Sequence, residues 1–161
     1  MGTIKVREAT QDDVPALAIL LDHFDRMGAT PEQVAARMRA CQGVLTTFLG
    51  EVDGEPAGFA CLRLVPHLQG DEPYAELTDI FVEPPYRRRG VARSLLAHVE
   101  AAARAAGASD AVLTTSSDNE IAQSAYRAAG YADWALAMRK HFPDERAAKA
   151  PPCLTGEGVG G

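Results

Sequence analysis

Leu77-Thr-Asp-Ile-Phe-Val-Glu-Pro-Pro-Tyr-Arg-Arg-Arg-Gly-Val-Ala92 reads as a strand that stops at Pro84-Pro85, a short basic turn, and the first turn of a helix. Consecutive prolines cannot continue a β-ladder, because each fixes φ and lacks an N–H donor. Gly90 and Ala92 carry little or no side-chain bulk, so an anion can come close to the main chain there. The first amides of the helix that follows have no internal acceptors and point outwards. Strand, glycine turn and helix N-terminus therefore make a site suited to a diphosphate. Taken alone, a basic turn before a helix is equally a solvated surface feature.

Outward from this stretch the elements follow in both directions. Val91, Leu95, Leu96 and Val99 recur at helical spacing within 90–106, and Gly107 is placed to end the helix. A β-branched strand is expected over 110–115, a helix over 119–129 stopped by Gly130, and a last strand over 134–138. On the other side, Tyr74 to Val82 is a strand, and 44–52 and 55–65 form a hairpin closed by Asp53-Gly54, which accepts the positive φ of a tight turn. A first strand over 3–7 precedes Thr10, which caps a helix with Asp12 and Asp13 in its first turn and the apolar set Val14, Leu17, Ile19, Leu20, Leu21 and Phe24. Thr30 and Pro31 open a second helix that ends near Cys41.

The 161 residues, 47% hydrophobic and 24% charged, are an ordinary globular composition, which excludes a disordered or collagen-like chain. Residues 1–146 are expected to form one domain. From Ala147 onward apolar periodicity is lost, and a loose tail is expected over 147–161. The net charge of −6 and the isolation of Arg87, Arg88 and Arg89 disfavour nucleic acid, which requires a broad basic face. Charges at Lys5, Arg7, Glu8, Asp12 and Asp13 interrupt any signal-peptide core, no later stretch has the length of a membrane span, and Val6 stands where a myristoylation motif needs Ser or Thr. Cys41, Cys61 and Cys153 are odd in number and far apart, which fits a reducing, cytoplasmic setting. His23, His67, His98 and His141 are scattered as surface or packing residues, and no metal site is expected.

Arg87-x-x-Gly90-x-Ala92 resembles the acyl-CoA-binding motif of the GNAT superfamily of N-acetyltransferases. Independently, Asn119-Glu-Ile-Ala122-Gln-Ser-Ala125-Tyr126-Arg-Ala-Ala-Gly130-Tyr131 is similar to that family's second block, with Ala125 in place of a larger residue and Tyr131 in place of Phe. The likeness in element order covers residues 3–142, and the specific motifs fall within 75–131. It implies a three-layer α/β domain, a central mixed and mostly antiparallel sheet with helices on both faces. It implies acetyl-CoA as cosubstrate, entering a splay between the strand ending at Val82 and the strand starting near Asp110. On this resemblance the diphosphate lies over Arg87, Arg88, Arg89, Gly90, Val91, Ala92 and Arg93, and the pantetheine lies along Asn119 to Tyr126. A main-chain amide at a bulge around Ile80, Phe81 and Val82 polarises the thioester carbonyl.

Seven residues separate Asn119 from Tyr126, two helical turns or about 10.5 Å, so one helix face carries both. A thiol of pKa about 8.5 leaves, and a phenol near 10 can return its proton, which makes Tyr126 the candidate general acid. The attacking amine must itself lose a proton, and Glu76 and Asp79 are the candidate bases. Strict alternation puts Asp79 with Leu77 and Phe81 and leaves Glu76 opposite, unless a bulge changes the register. Asp79 is preferred because the segment resembles the diamine and polyamine branch of the family. Asp71 and Glu72 are weaker candidates for attracting a cationic substrate, and Ser116-Ser117 lacks the glycine elbow of a hydrolase. The activity implied is acetyl transfer to a primary amine by direct attack, with a small-molecule amine as partner, no membrane, and room for a homodimer. The rivals are a noncatalytic acyl-CoA-binding regulatory module and a transferase that uses another acyl group or acts on a protein N-terminus.

Overall fold

In the computed structural model, which describes residues 2–143, five strands lie side by side in chain order. β1 (Ile4–Glu8), β2 (Leu45–Val52), β3 (Glu55–Val65) and β4 (Tyr74–Val82) run antiparallel to their neighbours, and β5 (Ala111–Leu113) joins β4 in parallel. Helices α1 (Val14–Asp25) and α2 (Pro31–Ala40) cover one face, where Leu17, Leu20 and Val34 pack with Leu49, Phe59 and Phe81. Helix α3 (Val91–Ala105) covers the other, setting Val91, Leu95, Leu96 and Val99 against Phe48, Ala60 and Leu77. Helix α4 (Glu120–Ala128) adds Tyr126 to this second cluster. The expected three layers are present; the expected tail over 147–161 lies outside the described residues.

Local chemistry explains the connections. Asp53 and Gly54 hold φ at 52° and 85°, the paired positive values of a two-residue hairpin turn. The Thr30 hydroxyl accepts the Gln33 amide at 3.3 Å, with Pro31 in the first helical position. Gly107 leaves α3 at φ 82°. Asp13, which sequence alone places as a first-turn acid, is buried and grips Arg7 through both carboxylate oxygens at 2.7 and 2.8 Å. Arg7 also reaches Glu51 at 2.8 Å, which ties β1, β2 and the start of α1 together. The two guanidinium hydrogen bonds hold the Asp13 carboxyl down at about 2.

Two expectations need correction. The final strand over 134–138 does not form, and residues 131–143 have no regular structure. Apolar and small residues do alternate there, but a strand also needs a ladder. β5, expected over 110–115, is three residues long and offers few unpaired groups to hold one. The bulge expected around Ile80 to Val82 lies instead at Thr78: Asp79 faces Cys61 and Leu77 faces Leu62 across the ladder, which leaves Thr78 without a partner.

Candidate active site

The basic turn is built as an anion cradle. Arg88 and Gly90 hold φ at 61° and 90°, and among the described residues none of the amides from Arg88 to Arg93 donates to a protein acceptor. The first helical bond of α3 is Ser94 N–H to the Gly90 carbonyl at 3.0 Å. Six consecutive N–H groups and the positive end of a 15-residue helix are thus available to one anion. The arginines divide their work. Arg87 donates from Nε to the Val82 carbonyl at 2.9 Å and lies 5.9 Å from the Phe81 ring centroid, so it ties the turn to the end of β4. Arg89 covers Tyr86 at 5.6 Å. Arg88 and Arg93 have no ion-pair partner among the described residues.

From this turn the sheet opens. β4 and β5 pair only at Ala75–Ala111, Glu76–Val112 and Leu77–Leu113; beyond Leu77, β4 continues with β3 alone. The gap therefore begins at the Thr78 bulge. Past that point the main-chain groups of β4 on the β5 side have no ladder, as a site that polarises a carbonyl requires. The bulge also reverses the faces. Ala75 and Leu77 belong to the α3-side cluster, whereas Phe81 belongs to the α1/α2-side cluster and Ile80 and Val82 turn towards α3. Asp79 consequently parts from Leu77 and shares the α1/α2 face with Phe81, and Glu76, between Ala75 and Leu77, faces the same way.

On that face lies a cavity of about 750 Å³, with Phe59, Cys61 and Asp79 on its floor and α1 and α2 as its walls. Asp79 accepts a hydrogen bond from the Thr78 hydroxyl at 2.9 Å. Glu76 is engaged by the Arg63 guanidinium, so the two acids are not equivalent. Burial pushes the Cys61 thiol up to about 12, which keeps it protonated and non-nucleophilic at neutral pH. Asp71 and Glu72 are exposed in the loop before β4, outside the cavity lining.

Helix α4 stands on the opposite side of the gap. Asn119 is its cap rather than a helical residue: the Asn119 carboxamide oxygen accepts the Ala122 amide at 3.1 Å. Its side-chain NH2 has no hydrogen-bond acceptor among the described residues. Tyr126 is half-buried against the α3-side cluster, 6.1 Å from the Tyr131 ring, and burial raises its phenol above the ordinary value. Sequence reading missed the link between His23 at the end of α1 and Glu83 just after β4, 2.5 Å apart; no local pattern marks a contact across 60 positions. Among the described residues, no cluster of His, Cys, Asp and Glu is placed to hold a metal ion, and no helix is long and apolar enough to cross a membrane.

Comparison with known proteins agrees with this geometry. Residues 16–131 match the model of a family described as acetyltransferase (GNAT). An aminoglycoside N(6′)-acetyltransferase type 1 of Stenotrophomonas maltophilia is 31% identical over 153 residues, 89% of this chain and 95% of the relative. Aminoglycoside acetyltransferase AAC(6′)-Iy, solved with the bisubstrate analogue CoA-S-monomethyl-acetylneamine, superimposes with a TM-score of 0.73 at 25% identity, covering 87% of this chain and 99% of that one. A putative acetyltransferase from Agrobacterium tumefaciens shares the fold at a TM-score of 0.79 and 24% identity, over 86% of this chain and 99% of its own.

Proposed function

The chain belongs to the acetyltransferase (GNAT) family and is an acetyl-CoA-dependent N-acetyltransferase acting on amines, and from that premise we propose that it acetylates a primary amine of a small molecule by direct transfer, with Asp79 receiving the amine and Tyr126 protonating the departing thiolate. The observation that carries this reading is the continuity of three features: six unpartnered amides at 88–93, the β4/β5 gap that starts at Thr78, and an acid-floored cavity on the far side of that gap.

Acetyl-CoA supplies the acetyl group as a thioester. The turn at 88–93 holds its diphosphate, Arg88 and Arg93 add charge at that end, and Asn119 and Tyr126 flank the pantetheine path. Asp79 binds the incoming ammonium and takes a proton from it. The neutral nitrogen bonds to the carbonyl carbon and releases its second proton to solvent, as Asp79 does the first, while the carbon–sulfur bond breaks and its electron pair goes to sulfur. Tyr126 donates its phenolic proton to that sulfur and is reprotonated from solvent. Tyr126 and Asp79 sit on opposite faces of the sheet, and the gap is where the two faces meet. Of the two thiols that line the cavity, Cys41 and Cys61, the one on the floor beside Asp79 is Cys61, and its staying protonated supports direct transfer. A noncatalytic acyl-CoA module would need the turn but neither the cavity nor Tyr126. The free thiols of Cys41 and Cys61 support a cytoplasmic location.

Acetyl-CoA is expected to bind calorimetrically and to raise the melting temperature by ligand linkage, and in the absence of amine the intact mass should show no acetylated protein. Gly90→Val should weaken acetyl-CoA at least tenfold, because a β-branched residue cannot hold φ near 90° without strain. Neither heat nor melting shift at millimolar acetyl-CoA would overturn the assignment.

A homodimer is supported by the chain after α4. Trp134, Leu136 and Met138 are 82, 86 and 89% exposed at alternate positions, and β5, the last strand of the sheet, has a neighbour on one side only among the described residues. Both the apolar strip and the open edge belong to one chain, so a second copy offers the complement of each. Sedimentation is expected to show a dimer that Leu136→Lys converts to monomer; a wild-type monomer at micromolar concentration would refute it.

A further inference from the structure

The acceptor cavity has a chemical character of its own. Leu17, Leu21 and Phe24 of α1, Val34 and Met38 of α2, and Phe59 of β3 line it, and Asp79 of β4 stands on the floor beside Phe59 and Cys61. Glu8 and Asp25 sit at other parts of the lining, and α2 adds Arg37 and Arg39. Three carboxylates against two guanidiniums is nearly balanced. A polycation would leave most of its ammonium groups against leucine, phenylalanine or arginine, where they lose hydration without gaining a partner.

Resting on the acetyltransferase reading above, we propose that the acceptor is an amphipathic primary amine, with one amino group delivered to Asp79 and an apolar alkyl or aryl body packed between α1 and α2, rather than a polyamine or an aminoglycoside. A cavity of about 750 Å³ has the size of sites that enclose such a molecule. Phe24 stands 43% exposed at its side, available to a second ring. The cationic end needs one carboxylate, which Asp79 supplies. Thr10, Gln11, Gln42, Thr46 and Thr47 also line the cavity, but most of its surface is apolar, so affinity should follow chain length: each buried methylene strengthens binding about fourfold.

The test is steady-state CoA release with saturating acetyl-CoA and a graded panel: straight-chain amines from propyl to octyl, 2-phenylethylamine, spermidine, and an aminoglycoside with a 6′-amine. The expected result is a rise in kcat/KM of about fourfold per methylene until the cavity is filled, with 2-phenylethylamine at least tenfold above spermidine and the aminoglycoside. Leu21→Glu should lower kcat/KM for 2-phenylethylamine at least tenfold while raising it for spermidine. Its acetyl-CoA affinity reports that the fold is intact, since that site lies on the other side of the sheet. A flat or inverted series with measurable turnover, or equal effects of Leu21→Glu on both amines, would overturn the amphipathic acceptor and leave the acetyltransferase standing. No turnover on any amine together with no acetyl-CoA binding would overturn both.

Discussion

Tyr126→Phe is expected to lower turnover by about 10²-fold or more and to leave acetyl-CoA affinity within about twofold of wild type. The substitution removes one oxygen and keeps the ring that packs against Tyr131 and the α3-side cluster, so stability should barely change. The expected loss is kinetic because the thiolate is unprotonated only after the carbon–sulfur bond yields. A donor placed there acts in the transition state and not in the ground-state complex. Burial raises the Tyr126 phenol above its ordinary value of 10, and the sign matters: the protonated form, the one that donates, persists across the whole neutral range. Any loss of rate due to Tyr126 ionisation must therefore appear above pH 10, and it should vanish in the Phe variant. Wild-type turnover in Tyr126→Phe would remove the hydroxyl from the mechanism. Collapse of acetyl-CoA binding in a folded variant would make Tyr126 a binding residue and favour a noncatalytic module.

Sequence alone reaches those parts of the fold whose signals are local. Asp53-Gly54 closes a hairpin because both residues accept positive φ, and β2 and β3 end within a residue of where the pattern puts them. Pro84-Pro85 ends β4 at Val82 for the same kind of reason, a missing donor rather than a distant partner. Gly90 before an apolar run at helical spacing marks the start of α3 correctly, and with it the anion turn. The GNAT resemblance rests on that segment and on the Asn119 block, and the family model covers both.

What fails depends on neighbours that sequence spacing does not show. The β4 bulge is a property of the β3–β4 pair, and its position at Thr78 rather than within 80–82 decides which face Asp79 occupies. The strand over 134–138 has the right alternation and no ladder to join among the described residues. Asn119 looks helical by spacing, but its side chain is more useful satisfying the Ala122 amide, as asparagine at a helix start generally is. Asp13 reads as a first-turn acid until β1 brings Arg7 to it, with Glu51 of β2 on the same guanidinium. The cavity itself is invisible in the sequence, since its floor comes from β3 and β4 and its walls from α1 and α2.

The bulge leads to the second large effect. Asp79→Asn is expected to raise the KM of the amine and lower kcat/KM by about 10- to 100-fold, because a charge-assisted contact of this kind contributes roughly 1.5–3 kcal/mol. Glu76→Gln should change kcat/KM less than about threefold: Glu76 is held by Arg63 near the surface, and such pairs contribute about 0–1 kcal/mol. Had the register continued without Thr78 as an extra residue, Asp79 would face α3 with Leu77 and the order of these effects would reverse. An alkyl amine of pKa about 10.4 is mostly ammonium below pH 9, and its neutral fraction rises about tenfold per pH unit. In wild type kcat/KM for the amine should therefore increase from pH 6 to pH 9. In Asp79→Asn the rise should persist on a lower curve, since the amine still has to lose its proton but has lost the group that receives it. A flat wild-type profile with chemistry rate-limiting would refute the deprotonation step. A larger loss in Glu76→Gln than in Asp79→Asn would place the base on the other acid and remove the bulge from the mechanism.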